Sequence, residues 1–379
     1  MKPYIKRPMR ILQIGPDSRS KGGIASLLKA MQENDSEFAS EEFALSYVST
    51  TECGASSRLG KIGTFGRAMA QARSSMTNWG VDVVHIHSAL KGSLFRKIIF
   101  SWLCRFYCVP YIFHIHNGNF FGRYALMPWF MRFFIKQALF GADRVVVISE
   151  KMREMANKSG AVNPSKCILI YNGIADPLID DESYEKKDSN IVKIVFLGLI
   201  TPDKGVETLI DAIEVLKAKT KNFRLIVYGG GNVNGLQEKI NRQHLNDLVA
   251  YGGWISGEEK GSILSASDIF VLPSRSEGFS IAILEAMAYR LAIVSTAIPG
   301  VSDAVRNGID GVLVPVDDVL ALSDAIHGLV IDSEKRARLS TSARIRYLRN
   351  FSLKKMITEL GRIYRSVNSE SRNIQGDVK

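Results

Sequence analysis

Two acids, Glu277 and Glu285, flank what reads as the start of a helix in Glu277-Gly-Phe-Ser-Ile-Ala-Ile-Leu-Glu285. The apolar run Ile269-Phe-Val-Leu-Pro precedes them, so the pattern predicts a strand, a short polar turn through Ser274-Arg-Ser, and a helix opening at Ile281. Such a junction aims backbone N–H groups at a point where a phosphate can bind. Glu285 then lies about one turn inside the helix, roughly 6 Å along its axis. Two carboxylates beside a positive dipole end can hold the hydroxyls of a sugar on one side and of a ribose on the other, while the N–H groups take a diphosphate. An acid in the first turn also serves as an ordinary capping charge, worth about 0.3–1 kcal/mol. The spacing by itself leaves both readings open.

The elements that must position these acids follow from the rest of the chain. Apolar runs alternate with helical stretches: Met9-Arg-Ile-Leu-Gln-Ile-Gly, Val81-Asp-Val-Val-His-Ile-His, Tyr111-Ile-Phe-His-Ile-His, Arg144-Val-Val-Val-Ile-Ser and Ile168-Leu-Ile-Tyr-Asn-Gly read as buried parallel strands. Gly22-Gly23 reads as a turn entering a helix. Six further runs follow, at Val192–Gly198, Phe223–Gly229, Leu248–Gly253, Ile269–Pro273, Ala292–Thr296 and Gly311–Pro315. Between the two sets, residues 176–190 are polar and aperiodic. The reading is therefore α/β with two doubly wound domains, 1–178 and 192–352, joined by a linker at 179–191 and facing each other across a cleft. A last helix around Leu353–Val367 ends the fold, and Asn368–Lys379 reads as a flexible tail.

With 379 residues, 46% hydrophobic and 23% charged, the chain has the size and composition of two globular domains. No secretory segment is read at the N-terminus, and the longest apolar region, Ile98–His114, is broken by Arg105 and Pro110. Cys53, Cys104, Cys108 and Cys167 make no disulfide or metal pattern, so a reducing cytoplasm is expected; Cys104 and Cys108, at i and i+4, could share a helix face. The net charge of +11 is concentrated in the first half: Cys53 to Ala142 holds eleven Lys/Arg against the single acid Asp82. Bases interleaved with aromatics, as in Leu94-Phe-Arg-Lys-Ile-Ile-Phe-Ser-Trp and Trp129-Phe-Met-Arg-Phe-Phe-Ile-Lys, suit an anionic membrane surface or two core helices with a basic outer face. No nucleic-acid-binding signature accompanies the charge. Four histidines alternate on two strands, His85/His87 and His114/His116, without acids or cysteines to complete a metal site. His116 ends its strand and is the best functional candidate of the four.

The chain resembles the retaining nucleotide-sugar glycosyltransferases of family four, which have the GT-B fold. The resemblance spans nearly the whole chain and is strongest in Glu277–Gly300, with Gly22-Gly23, His116-Asn-Gly, Val147-Ile-Ser-Glu, Asn172-Gly-Ile, Phe196-Leu-Gly, Lys204-Gly and Gly229-Gly-Gly in support. It implies that Glu277 faces the transferred sugar and Glu285 the donor ribose. Backbone N–H groups of Phe279, Ser280 and Ile281 would face the sugar and diphosphate, and Lys204 would neutralise the departing diphosphate. Gly23 would let its loop approach that diphosphate, with Gly22 beside it, and His116 would hydrogen-bond the sugar. The base would lie near Tyr251 to Ile255, with Gly229 and Gly230 alongside. The family's usual arginine after the glycine of the strand preceding the lysine loop is replaced by Leu199, with Arg275 a candidate substitute.

The expectation is transfer of a sugar from a UDP- or GDP-sugar to a lipid-linked or polysaccharide acceptor at the inner membrane face, by a peripheral, cytoplasmic protein. No cofactor or metal ion is required on this reading, since no Asp-x-Asp motif stands in a suitable loop. The Leu199 departure motivates a second reading, a nucleotide-sugar-binding or assembly subunit with little or no turnover. A nicotinamide oxidoreductase ranks lower because no Gly-x-Gly-x-x-Gly follows the first strand of either half.

Overall fold

A computed structural model describes residues 7–20, 23–51, 58–89, 92–178, 191–255 and 257–376. Twelve strands form two six-stranded, all-parallel sheets. The first comprises β1 (Met9–Gly15), β2 (Phe43–Ser49), β3 (Val83–Ser88), β4 (Tyr111–Ile115), β5 (Arg144–Val147) and β6 (Cys167–Leu169), in the order β2-β1-β3-β4-β5-β6. The second comprises β7 (Val192–Leu197), β8 (Phe223–Tyr228), β9 (Val249–Gly253), β10 (Ile269–Leu272), β11 (Ala292–Thr296) and β12 (Val312–Val314), in the order β12-β11-β10-β7-β8-β9. Parallel strands with both faces covered by helices are buried along their length, and β3, β4, β10 and β11 are buried at every position, the histidines of β3 and β4 included.

The chain divides into two compact units: Met1–Gly173 with Leu353–Lys379, and Ile174–Ser352. The first break thus falls after Gly173 rather than after 178. Residues 179–190 of the expected linker lie outside the described residues, as do Gly22 and Cys53.

In unit 1 the last helix, Leu353–Gly376, closes the core. Leu353, Met356, Ile357, Leu360, Ile363, Tyr364 and Val367 recur at helical spacing and pack with Ile11, Leu28, Phe43 and Ile112. Full burial of side chains of this size contributes about 1.5–3 kcal/mol each. The helix continues to Gly376, so the expected flexible tail from Asn368 is corrected for the backbone that far. Beyond Val367 the helix is tied to unit 1 by Glu370, which pairs with Arg144 and accepts from Ser366 Oγ at 2.9 Å.

Two other expectations change. β2 escaped the sequence reading because it is an edge strand whose centre, Ala44–Tyr47, is only half-buried and lacks a continuous apolar run. Cys104 and Cys108 do not share a helix face: the helix Gly92–Phe106 ends first, and Cys108 is an exposed turn residue with φ +52°.

Candidate active site

In unit 2 the strand order reverses between β7 and β10: β7 has β8 on one side and β10 on the other. Open α/β sheets bind ligands beyond the carboxyl ends of the strands at such a point, because the two following loops diverge there. The loop after β7 carries Lys204 and the loop after β10 carries Glu277. These side chains meet, with Lys204 Nζ 2.6 Å from Glu277 Oε1 and Ser274 Oγ donating to the same oxygen at 2.8 Å. The Glu277 side chain is 9% exposed and that of Lys204 27%, so the pair is open to solvent mainly on the lysine side.

The two loops are joined through the backbone as well. Arg275 N–H donates to Asp203 O at 2.8 Å. Gly205 turns the Lys204 loop into the helix Val206–Lys217 at φ +68°, and a Cβ there would lie 2.0 Å from Pro273 O. Glycine is therefore required by both conformation and contact. On the other side of β7, Gly229 at φ +142° lets the loop after β8 pass so close that a Cβ would lie 1.7 Å from Gly198 O. Tyr251 of β9 fixes that loop by donating its hydroxyl to Gly229 O at 2.9 Å, and Gly229 N–H donates to Gly253 O. Gly230 follows at the same turn beside Trp254, and Ile255 is half-buried just after β9.

The helix Ile281–Ala288 opens at the expected residue, and the Ser280 side chain makes no cap hydrogen bond. Its first-turn N–H groups lack intrahelical partners and so form a ready site for an anion. Phe279 and Ser280 are buried at the entrance, with the Phe279 ring 5.5 Å from that of Phe351. Glu285 is paired with Lys260, from the helix Gly257–Ser265. The sequence reading missed Lys260, since no local spacing links it to Glu285. Leu199 is half exposed on its loop, and Arg275, the candidate substitute, has its Nε at 2.9 Å from both carboxylate oxygens of Asp317. A cavity of about 440 Å³ between the helices Val206–Lys217 and Val233–Arg242 is lined by the Asp211–Lys239 ion pair and contains none of the expected site residues.

Unit 1 has its own order reversal, between β1 and β3. Gly23 opens the helix after β1, and a Cβ there would meet no atom within 4 Å. His116 directly follows β4 and is half-buried. It belongs to a stack of four imidazoles, with His87 Nδ1 2.9 Å from His116 Nε2 and His85 Nε2 3.1 Å from His114 Nδ1. Gln13 Oε1 accepts from His87 Nε2 at 2.7 Å, Gln13 Nε2 donates to the Tyr364 hydroxyl at 3.0 Å, and that hydroxyl is 2.7 Å from His85 Nδ1. Burial pulls His116 down to about 3, opposed by a hydrogen bond to Asn172. It pulls His85 to about 3 as well, with the charged form of His116 adding to the effect. His87 and His114 are lowered for the same reasons, burial first.

One ligand atom each from His85, His87 and His114 lies within 4.8 Å of the others. The nitrogens of His85 and His87 already serve other groups, and burial together with the neighbouring histidines and Lys97 disfavours further positive charge at His87. These features suit a hydrogen-bonded cluster better than a divalent ion.

The comparisons with known proteins agree with this layout. Residues 179–346 match the family model for glycosyl transferases group 1, and residues 48–176 that for glycosyltransferase family 4. Among curated relatives, the alpha-D-kanosaminyltransferase of Streptomyces kanamyceticus is 24% identical over 302 residues, covering 74% of this chain and 77% of its own. The capsular polysaccharide biosynthesis glycosyltransferase CapM of Staphylococcus aureus is 25% identical over 248 residues, covering 62% and 65%. Sucrose-phosphate synthase from Thermosynechococcus elongatus superposes with a TM-score of 0.75 at 19% identity, covering 96% of this chain and all of the other. Anabaena HepE in complex with UDP and glucose superposes at 0.70 and 16% identity, covering 94% and 100%; at such identities the likeness is one of fold. With both halves matched in order and both sheets of the GT-B kind, the chain belongs to glycosyltransferase family four and is a glycosyltransferase that uses a nucleotide-sugar donor.

Proposed function

We propose that this glycosyltransferase moves a sugar, with retention, from a UDP- or GDP-sugar to a lipid-linked or polysaccharide acceptor while resting on an anionic membrane surface at the inner face. The observation that carries the membrane part is one face of unit 1. Phe95, Ile99, Trp102 and Phe106 on the helix Gly92–Phe106, and Trp129, Phe130, Phe133, Phe134 and Phe140 on the helix Trp129–Phe140, are all exposed, Trp129 by 81%. Trp102 and Phe134 touch edge to face at 5.7 Å, joining the two helices. Arg105, Arg123, Arg132 and Lys136 are exposed among them. Lys97, grouped with these bases on sequence grounds, is instead fully buried and donates to Thr50 Oγ1 at 2.7 Å. Apolar rings ringed by cations fit the boundary between headgroups and acyl chains. No helix among the described residues is long and apolar enough to cross a membrane.

For the chemistry, the Ile281–Ala288 N-terminus and Lys204 take the diphosphate, Glu285 the ribose, and Glu277 and His116 the sugar, with Gly23 allowing close approach. The neighbourhood of Tyr251, Ile255, Gly229 and Gly230 receives the base. As the glycosidic bond breaks, charge develops on the diphosphate oxygen, which the helix N–H groups and Lys204 would stabilise. With three donors, the Lys204 ammonium can turn one toward the diphosphate and so loosen its hold on Glu277, whose carboxylate then serves the sugar. No divalent ion is assigned a step. The relatives' names support a polysaccharide-type acceptor and a UDP-sugar donor.

Thermal unfolding with UDP, GDP, ADP and their common sugars tests the donor part: stabilisation by UDP or GDP and none by NAD is expected. Transfer that a chelator abolishes and magnesium or manganese restores would sink metal independence. Flotation with phosphatidylglycerol vesicles, lost in Trp129→Ser/Phe133→Ser, tests the membrane part; equal binding to phosphatidylcholine vesicles, or none to either, would refute it.

A further inference from the structure

The four histidines, Gln13 and Tyr364 form one unbroken hydrogen-bonded chain, running His116–His87–Gln13–Tyr364–His85–His114. Each neutral imidazole carries one proton, so it donates from one nitrogen and accepts at the other. A chain of such groups has two self-consistent arrangements, with every proton pointing one way or every proton pointing the other. Gln13 ties both halves of the chain to one direction, because its amide accepts on one side and donates on the other; the direction follows from its oxygen standing toward His87 and its NH2 toward Tyr364. Its oxygen faces His87 Nε2, so that nitrogen carries the proton and Nδ1 is bare; His116 must then donate from Nε2. Its NH2 faces Tyr364, whose hydroxyl must pass its proton on to His85 Nδ1. His85 in turn donates from Nε2 to His114, and the chain ends at His114 Nε2, which is buried and has no partner.

We propose that Gln13, His87 and Tyr364 are positioning residues that hold His116 as the neutral, Nε2-protonated imidazole, leaving Nδ1 as a lone pair able to accept a hydrogen bond from a hydroxyl of the donor sugar. The proposal rests on the assignment of His116 to the sugar made above. It gives the last helix a second role besides closing the core: through Tyr364 it fixes the proton on a residue at the end of β4. Burial keeps the rings uncharged near neutral pH, which the one-proton-per-ring count requires. The Asn172 amide also acts on His116 and, like that of Gln13, can present either its oxygen or its NH2; Gln13 differs in being held on both sides, by His87 and by Tyr364. Reversing the chain would need the Gln13 amide to turn over and would convert Nδ1 of His116 from acceptor to donor.

The test is the tautomer itself, read from the ring nitrogens of the full chain labelled with 15N-histidine, with resonances assigned by single His→Gln variants. Wild type is expected to show His116 protonated at Nε2 alone. Tyr364→Phe keeps the ring packed 5.4 Å from Phe43 but removes the hydroxyl, so His116 should become a mixture of tautomers. Gln13→Leu should do the same. A purely structural role for Tyr364 would lower the melting temperature and leave the tautomer unchanged. An unaltered His116 tautomer in both variants, or an Nδ1-protonated ring in wild type, overturns the proposal. The melting shift given by the best nucleotide sugar is expected to fall in Tyr364→Phe as far as it does in His116→Ala. If His116→Ala keeps the full shift, the assignment of His116 to the sugar fails while the tautomer result still stands.

Discussion

Unit 1 should lose stability steeply on mild acidification, well before carboxylates titrate. His85 is fully buried and stays neutral in the folded chain down to about pH 3, whereas an unfolded histidine protonates near 6.5. A folded value below the unfolded one means that the unfolded chain binds the extra proton. The stability is therefore complete above about pH 7.5 and is lost as pH falls through 6.5 toward 3. Between pH 7 and 5.5 one such group costs about 1.3 kcal/mol. His87, His114 and His116 are displaced the same way and add to the loss, with half-buried His116 contributing least. Glu359 and Glu370 are held below the usual carboxylate range by hydrogen bonds to Lys355 and Arg144 and lose their contribution only at lower pH, whereas the buried Lys97 is displaced downward in the same sense as the imidazoles, so the imidazoles are identified by following their own titration. Trp79, Trp102 and Trp129 all lie in unit 1, and Trp254→Phe leaves a fluorescence signal that reports this unit alone. Urea unfolding of that variant should show its midpoint falling sharply from pH 7 to 5.5. A midpoint that stays constant, or cluster imidazoles that titrate near 6.5 in the folded chain, would refute the reasoning.

Two substitution sets probe unit 2. Glu285→Ala should weaken donor binding about 10–100-fold, the worth of hydrogen bonds to a charged group, and Glu277→Ala should chiefly slow transfer; wild-type kinetics in both would refute the site. Lys204→Ala should slow transfer about 100-fold or more with a smaller change in donor affinity, as expected for a group whose contact strengthens when the diphosphate departs. Gly205→Ala should destabilise unit 2 by at least about 2 kcal/mol, from a left-handed backbone and a collision with Pro273 O, measurable as a lowered melting transition.

Much of this architecture was legible because parallel strands buried on both faces leave a local signature. Five of the six strands of the first sheet and all six of the second announce themselves as short apolar runs ending in glycine, proline or polar residues. β2 did not, being an edge strand with a half-buried centre. The helix start at Ile281 was legible from the change of period after Pro273 and from the polar turn between. Lys97 was misread for a converse reason: composition counts a lysine as a surface charge, and only packing against Thr50 and Phe100 shows it to be inside.

The sequence by itself determined the two α/β sheets, the glycines that loops require, and which acids and bases stand at strand ends, because each depends on residues within a few positions of one another. It could not determine partners. Glu277 meets Lys204 because β10 and β7 are neighbours in the sheet, and Glu285 meets Lys260 across two helices. Tyr364 reaches Gln13 and His85 only because the last helix returns the chain to the first sheet. A side chain's charge, tautomer and partner are set by what surrounds it within a few ångströms, and in this chain those neighbours are brought together from opposite ends of the sequence.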